Sequence, residues 1–170
     1  MIRILLTTAF VALGAITLAA VPSEYDVKAA FLLNVLRLSE RRPPISSNHL
    51  VLCAIAADAI EQPLRSLEGT SVHGRKLALR RVGKGEVEGC EAIFFGRSAG
   101  MEATLIKAQK LGILTVGNDG DFVPLSGMVA LVVENGRVVV EINRLVMKTG
   151  QWTFSSYLLE IARLMSGAVQ

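Results

Sequence analysis

The chain has 170 residues, 51% hydrophobic and 19% charged, with a formal net charge of +3. That length fits one domain with a core of its own, and the composition excludes a disordered chain. The weak charge, with no basic tract interleaved with aromatics, argues against a nucleic-acid partner.

Residues 1–20, "MIRILLTTAFVALGAITLAA", combine a basic start at Arg3, an apolar run from Ile4, and small residues at Ala19 and Ala20. This is the pattern of a secretory signal peptide cleaved after Ala19 or Ala20. An uncleaved anchor is the alternative, for which the run is short. The expectation is a signal peptide over 1–20 and an exported domain over 21–170, most simply in a bacterial periplasm. Cys53 and Cys90 are the only cysteines. In an oxidising compartment they read as one disulfide, with two buried free thiols as the alternative. Neither they nor the two histidines have a zinc-site spacing.

"SEYDVKAAFLLNVLRLSE", residues 23–40, predicts a helix to about Leu38. Ser23 caps it, with Asp26 completing a capping box, and Pro43 and Pro44 follow its end. At 100° per residue, Tyr25, Ala29, Leu32, Leu33 and Leu36 fall on one face. Val27, Phe31, Val35 and Leu38 fall on another, with Lys28 on the seam. One stripe docks a helix on a sheet. The second needs another neighbour: the C-terminal helix of the chain, or another protein.

"HLVLCAIA" predicts a strand buried on both faces. "ADAIEQPLRSLEG" predicts a helix restarted at Pro63 and stopped by Gly69. Strands follow at "KLALRRV", "EAIFFG" (91–96) and "ILTVG", with a helix at "MEATLIKAQKLG" between the last two. "MVALVVENGRVVVEIN" carries Asn135-Gly136 between β-branched runs, a type I′ hairpin signature. A final helical region is expected over 143–165, interrupted near Gly150, with Ser155 capping its second part. Alternating β and α with two-sided buried strands predicts an α/β three-layer sandwich: a mostly parallel sheet, a C-terminal β-hairpin, and helices on both faces.

No catalytic set emerges. Gly96, Ser98 and Gly100 match G-x-S-x-G between a strand and a helix, but the triad order needs a later histidine, and none follows His73. A plain strand-to-helix turn is the reading there. His49 and His73 lack partners at ligand spacing. No catalytic residue, metal or cofactor is expected.

The ordered set "EYDVKAAFLLN", "VLCAIA", "VHGRKLALRRV", "GCEAIFFG", "ILTVGNDGDF", "LSGMVALVVENGRVVVEIN" and "SSYLLEIARLM" resembles the YfiR-like family of small periplasmic proteins across essentially the whole exported chain. The resemblance implies a non-enzyme: a repressor that binds the periplasmic domain of an inner-membrane diguanylate cyclase, lowers cyclic-di-GMP and controls biofilm formation. It implies an OmpA-type outer-membrane lipoprotein as a sequestering partner, and a homodimer is carried as a further expectation. Cys53 and Cys90 match the family's disulfide pair. Glu141 matches an acidic partner-contact position, and Val129 and Met147 match apolar positions of the same patch. Phe31 and Val35, from the second stripe of the first helix, join them as expected partner-binding residues. Two departures stand out. A second cysteine pair near the hairpin is absent, and "NVLRLSERRPP" replaces an aromatic-rich segment after the first helix. The alternative to the repressor is a small-ligand sensor with a cleft at the C-terminal ends of the strands and no cyclase partner.

Overall fold

The computed structural model describes residues 21–166; the expected signal peptide lies outside the described residues. Helix α1 (Glu24–Arg37) starts at a reciprocal capping box. Ser23 Oγ accepts from the Asp26 main-chain N–H at 3.2 Å, and the Ser23 N–H donates to Asp26 Oδ2 at 2.8 Å. Hydrogen bonds from the Ser23 hydroxyl, then from its main chain, hold the Asp26 carboxyl below the usual carboxylate range.

Strand β1 (Ser39–Arg41) follows, then β2 (His49–Ile55), a single 3-10 turn (Asp58–Ile60), α2 (Glu61–Arg65), β3 (Ser71–Val72) and β4 (Arg75–Arg81). The chain continues through β5 (Ala92–Phe95), α3 (Glu102–Lys110), β6 (Leu114–Gly117), β7 (Val129–Glu134) and β8 (Arg137–Asn143). It finishes with α4 (Arg144–Thr149), β9 (Trp152–Phe154), α5 (Ser156–Ile161) and β10 (Arg163–Met165).

Eight strands form one sheet in the order β10-β8-β7-β6-β5-β2-β4-β3, and β1 pairs with β9 in a separate two-stranded ribbon. The run from β4 to β7 is parallel. The β7–β8 hairpin is antiparallel, and its turn residues Asn135 and Gly136 take φ of 50° and 74°, as a type I′ turn requires. Side chains alternate across the sheet. Leu50, Leu52, Ala92 and Phe94 face α1 and α2. Cys53, Ile55, Ile93 and Phe95 face α3. Two helical layers thus enclose the sheet, in the expected three-layer α/β architecture.

Several boundaries differ from expectation. The helix expected to restart at Pro63 begins at Glu61, behind the 3-10 turn, because Pro63 fits the first turn where no N–H partner is needed. The helical region expected over 143–165 is two six-residue helices and two strands. Ser155 does cap the second helix, accepting from the Leu158 N–H at 3.2 Å. Trp152-Thr153-Phe154 instead extends along β1, and Arg163-Leu164-Met165 lies parallel to β8. Tertiary pairing sites decide the state of these short segments.

The Cys53–Cys90 disulfide is present, with Cα atoms 5.7 Å apart. It joins the middle of β2 to the loop before β5, within the core under α3. Among the described residues no helix is long and apolar enough to cross a membrane.

Candidate functional site

The two stripes of α1 have different fates. Ala29, Leu32 and Leu36 are buried against the sheet, and Val35 joins them at 0% exposure. Val27, Phe31 and Leu38 stay half-buried. Helix α5 comes alongside, but its six residues cover only part of the stripe. The apolar residues Phe31, Val35, Leu38, Val140, Tyr157, Leu158 and Ile161, together with Asn34 and Arg37, line an open groove of about 470 Å³. Past Phe31 a second hollow continues between Val27 and the hairpin residues Val133 and Val138. Tyr157 is 60% and Ile161 50% exposed. The C-terminal helix therefore meets part of the second stripe, and the rest stays open.

Lys28, on the seam, is buried. Its ammonium donates to Asn118 main-chain O at 3.0 Å and Oδ1 at 2.9 Å, and pairs with Glu24 at 2.9 Å. This ties α1 to the C-terminal end of β6.

The expected partner-binding residues do not form one patch. Val35 and Val129 lie in the core between α1 and the sheet, with Phe31 and Met147 packed against it. Val129 is fully buried. Glu141 is on β8 between Val140 and Ile142, which face α1, so its own side chain faces the opposite side of the sheet. There it is 5% exposed, and its Oε1 accepts from Arg163 Nη1 at 3.0 Å. Arg163 also grips Glu134 through both carboxylate oxygens, at 2.5 and 2.6 Å. The guanidinium hydrogen bonds, then its charge, hold the Glu134 carboxyl below the usual glutamate range.

A polar cluster with no counterpart in the sequence reading sits at the N-terminal ends of β2, β4 and β5. Arg75 donates to Glu91 through Nη1 at 2.8 Å and Nη2 at 2.5 Å, and through Nε to Ser47 O at 2.8 Å. Glu91 is 7% exposed. The pair lines a cleft of about 620 Å³ with Arg41, Arg42, His73 and Trp152. His73 Nε2 lies 3.1 Å from Leu36 O and 3.0 Å from Ser39 O. Both are acceptors, so Nε2 carries the proton and caps the C-terminus of α1.

The G-x-S-x-G segment is a turn. The Ser98 N–H donates to Asp119 Oδ2 at 2.9 Å, and Ser98 is buried. His49 and His73 lie at the other end of the parallel strands, about 20 Å away at roughly 3.3 Å per residue along β2. At the C-terminal ends of β2 and β5, where doubly wound sheets bind ligands, the main chains approach closely: a Cβ on Gly96 would meet Ala56 O at 2.0 Å. Among the described residues no three potential metal-ligating side chains converge.

A search of curated proteins finds no match. A family model described as YfiR/HmsC-like matches residues 25–163, from the first turn of α1 to the start of β10. The chain therefore belongs to the YfiR/HmsC-like family, whose members are periplasmic regulators of diguanylate cyclases rather than catalysts.

Proposed function

We propose that the chain is a periplasmic repressor that binds the periplasmic domain of an inner-membrane diguanylate cyclase and lowers cyclic-di-GMP synthesis. In this reading residues 1–20 direct export and 21–170 form the working domain. The observation that carries it is the open apolar strip along α1, flanked by Tyr157 and Ile161, in a chain of this family. Contiguous exposed apolar surface of this kind marks protein contacts. Repression follows by population shift: the repressor binds the inactive cyclase conformation more tightly than the active one, and each 1.4 kcal/mol of preference is about tenfold in the equilibrium. An OmpA-type lipoprotein would act by competing for the same surface. Phe31 lines the strip with Val35 buried beneath it, while Val129 and Met147 are proposed as contacts only through the family resemblance. Self-association through the same strip is the homodimer form of this reading.

Tyr157 occupies the first turn of α5 and is mostly exposed. Tyr157→Asp puts a carboxylate near a helix N-terminus, which the backbone tolerates. The expected result is folding stability within about 0.5 kcal/mol of wild type and cyclase-domain affinity reduced about tenfold or more. Calorimetric titration of the purified cyclase domain checks both the affinity and the stoichiometry. Unchanged affinity would remove the strip from the contact.

Small-ligand sensing is the second reading, favoured by the cleft beside Arg75, whose volume falls in the range of metabolite sites, roughly 300–1,000 Å³. Native mass spectrometry of the protein released from periplasm tests it, since a retained small molecule adds a discrete mass.

A further inference from the structure

Strand β10 is held in an unusual way. It has three residues, and Arg163 and Leu164 are exposed, so little apolar surface holds it down. It docks in register with β8, Arg163 opposite Glu141, Leu164 opposite Ile142 and Met165 opposite Asn143. Only Ala162 separates it from α5. The specific attraction is electrostatic: one guanidinium spans Glu134 and Glu141. The nearest apolar residues on the Glu141 face are Ala130, Val132, Val139 and Met165. A carboxylate buried there needs a cation, because leaving it unpaired costs the full desolvation penalty. The outer edge of β8 likewise needs a strand, because unpaired ladder groups seek one.

We propose that the edge of β8 is a strand-receiving site, filled in the free protein by β10, and that it accepts an extended segment of a protein partner carrying a basic residue followed two positions later by an apolar one. β10 is itself the template for that occupant: the basic residue takes the place of Arg163 between the two carboxylates, and the apolar residue takes that of Met165. Recognition is by strand addition, in which main-chain bonds give affinity and alternate side chains give selectivity. The site deepens the binding-protein reading and rests on it for its biological meaning.

The test uses full-length variants and a labelled synthetic peptide, "IARLMSGAVQ", with the sequence of residues 161–170. Arg163→Glu places a third carboxylate beside Glu134 and Glu141 and expels β10. Leu164→Pro breaks the ladder while leaving both carboxylates in place. Each released variant should bind the peptide on the order of tenfold or more tighter than wild type, where the tethered strand competes at high effective concentration. Hydrogen exchange should accelerate at 163–165 and at the paired positions 141–143, and it should slow again at 141–143 when peptide is added. A peptide with Glu in place of its Arg should not bind. Exchange at 163–165 unchanged in both variants, or released variants that ignore the peptide, would overturn the proposal. Global unfolding of both variants would also overturn it, because β10 would then be an obligatory part of the fold. If the peptide binds but the cyclase domain does not bind the wild-type protein, the strand site stands and the repressor reading fails. The reverse pattern separates them the other way.

Discussion

Replacing Arg75 by alanine should destabilise the domain by about 3 kcal/mol, the lower end of the cost of removing one partner from a buried ion pair, because Glu91 is buried but Arg75 only half-buried. Arg75 opens β4, and Glu91 stands just before β5. Glu91 also accepts from the Val51 N–H at 3.4 Å, so the pair joins three adjacent parallel strands at one end. The Arg75 guanidinium additionally serves the carbonyls of Ser47 and His49. Without it, Glu91 stays inside with no cation and two carbonyls lose their donor. A domain of this size has a total stability of only about 5–15 kcal/mol, so the variant should lose a large share of it. Arg75→Lys keeps the charge but not the two-pronged geometry, and should fall in between. Arg75→Met with Glu91→Leu should recover most of the loss, because an apolar pair of similar volume has no desolvation penalty. Urea unfolding at neutral pH, comparing midpoints at equal slope, reads all three. A near-neutral Arg75→Ala would mean that Glu91 reaches water when its partner leaves.

The second large effect is expected from the disulfide. It closes a loop with a sequence separation of 37, worth about 3–4 kcal/mol through the unfolded state. Cys53 and Cys90 are both buried beside Val87, Ile93 and Phe95. Cys53→Ala with Cys90→Ala removes the link without placing a hydroxyl in that core. For a domain of this size the loss corresponds to a fall in Tm of roughly 6–16 °C. Scanning calorimetry of the double variant, beside the oxidised wild type, measures it. Burial of both sulfurs also predicts that reductant acts slowly on the folded protein, because thiol–disulfide exchange requires access. An unchanged Tm would show that the bridge adds nothing to the fold.

The parts of the fold legible in the sequence are those whose signal is local. "LVLCAI" and "AIFF" are apolar without interruption because both faces are covered, and each becomes a central strand. The Asn135-Gly136 turn and the Ser23 capping box are local chemistry and appear where expected. The short strands are illegible for the opposite reason. "SER" and "RLM" have no strand preference of their own and extend because a free edge of β9 or β8 lies beside them. Trp152-Thr153-Phe154 does carry a signal, a β-branched residue between two aromatics, which the helical reading of 143–165 passed over.

The same division holds for the candidate site. The double stripe of α1 points directly to the groove. Glu141 is expected from the family resemblance as an acidic partner contact, yet strand alternation turns it to the face opposite α1, and its cation comes from 22 positions away. Arg75 and Glu91, 16 apart, give no sign of each other until β4 and β5 flank β2. Lys28 reads as a seam residue, and its acceptors lie 90 positions on.

The proposed activity of the chain is repression of a membrane diguanylate cyclase from the periplasmic side. It is tested most directly by reconstituting that cyclase in vesicles with its periplasmic domain facing outward. Cyclic-di-GMP synthesis is then measured in the lumen as the oxidised protein is added outside. Saturable inhibition by wild type, weakened in parallel with binding by Tyr157→Asp, is the predicted result. Synthesis that stays constant while the folded protein is seen to bind, or in the absence of any binding at saturating concentration, would contradict it.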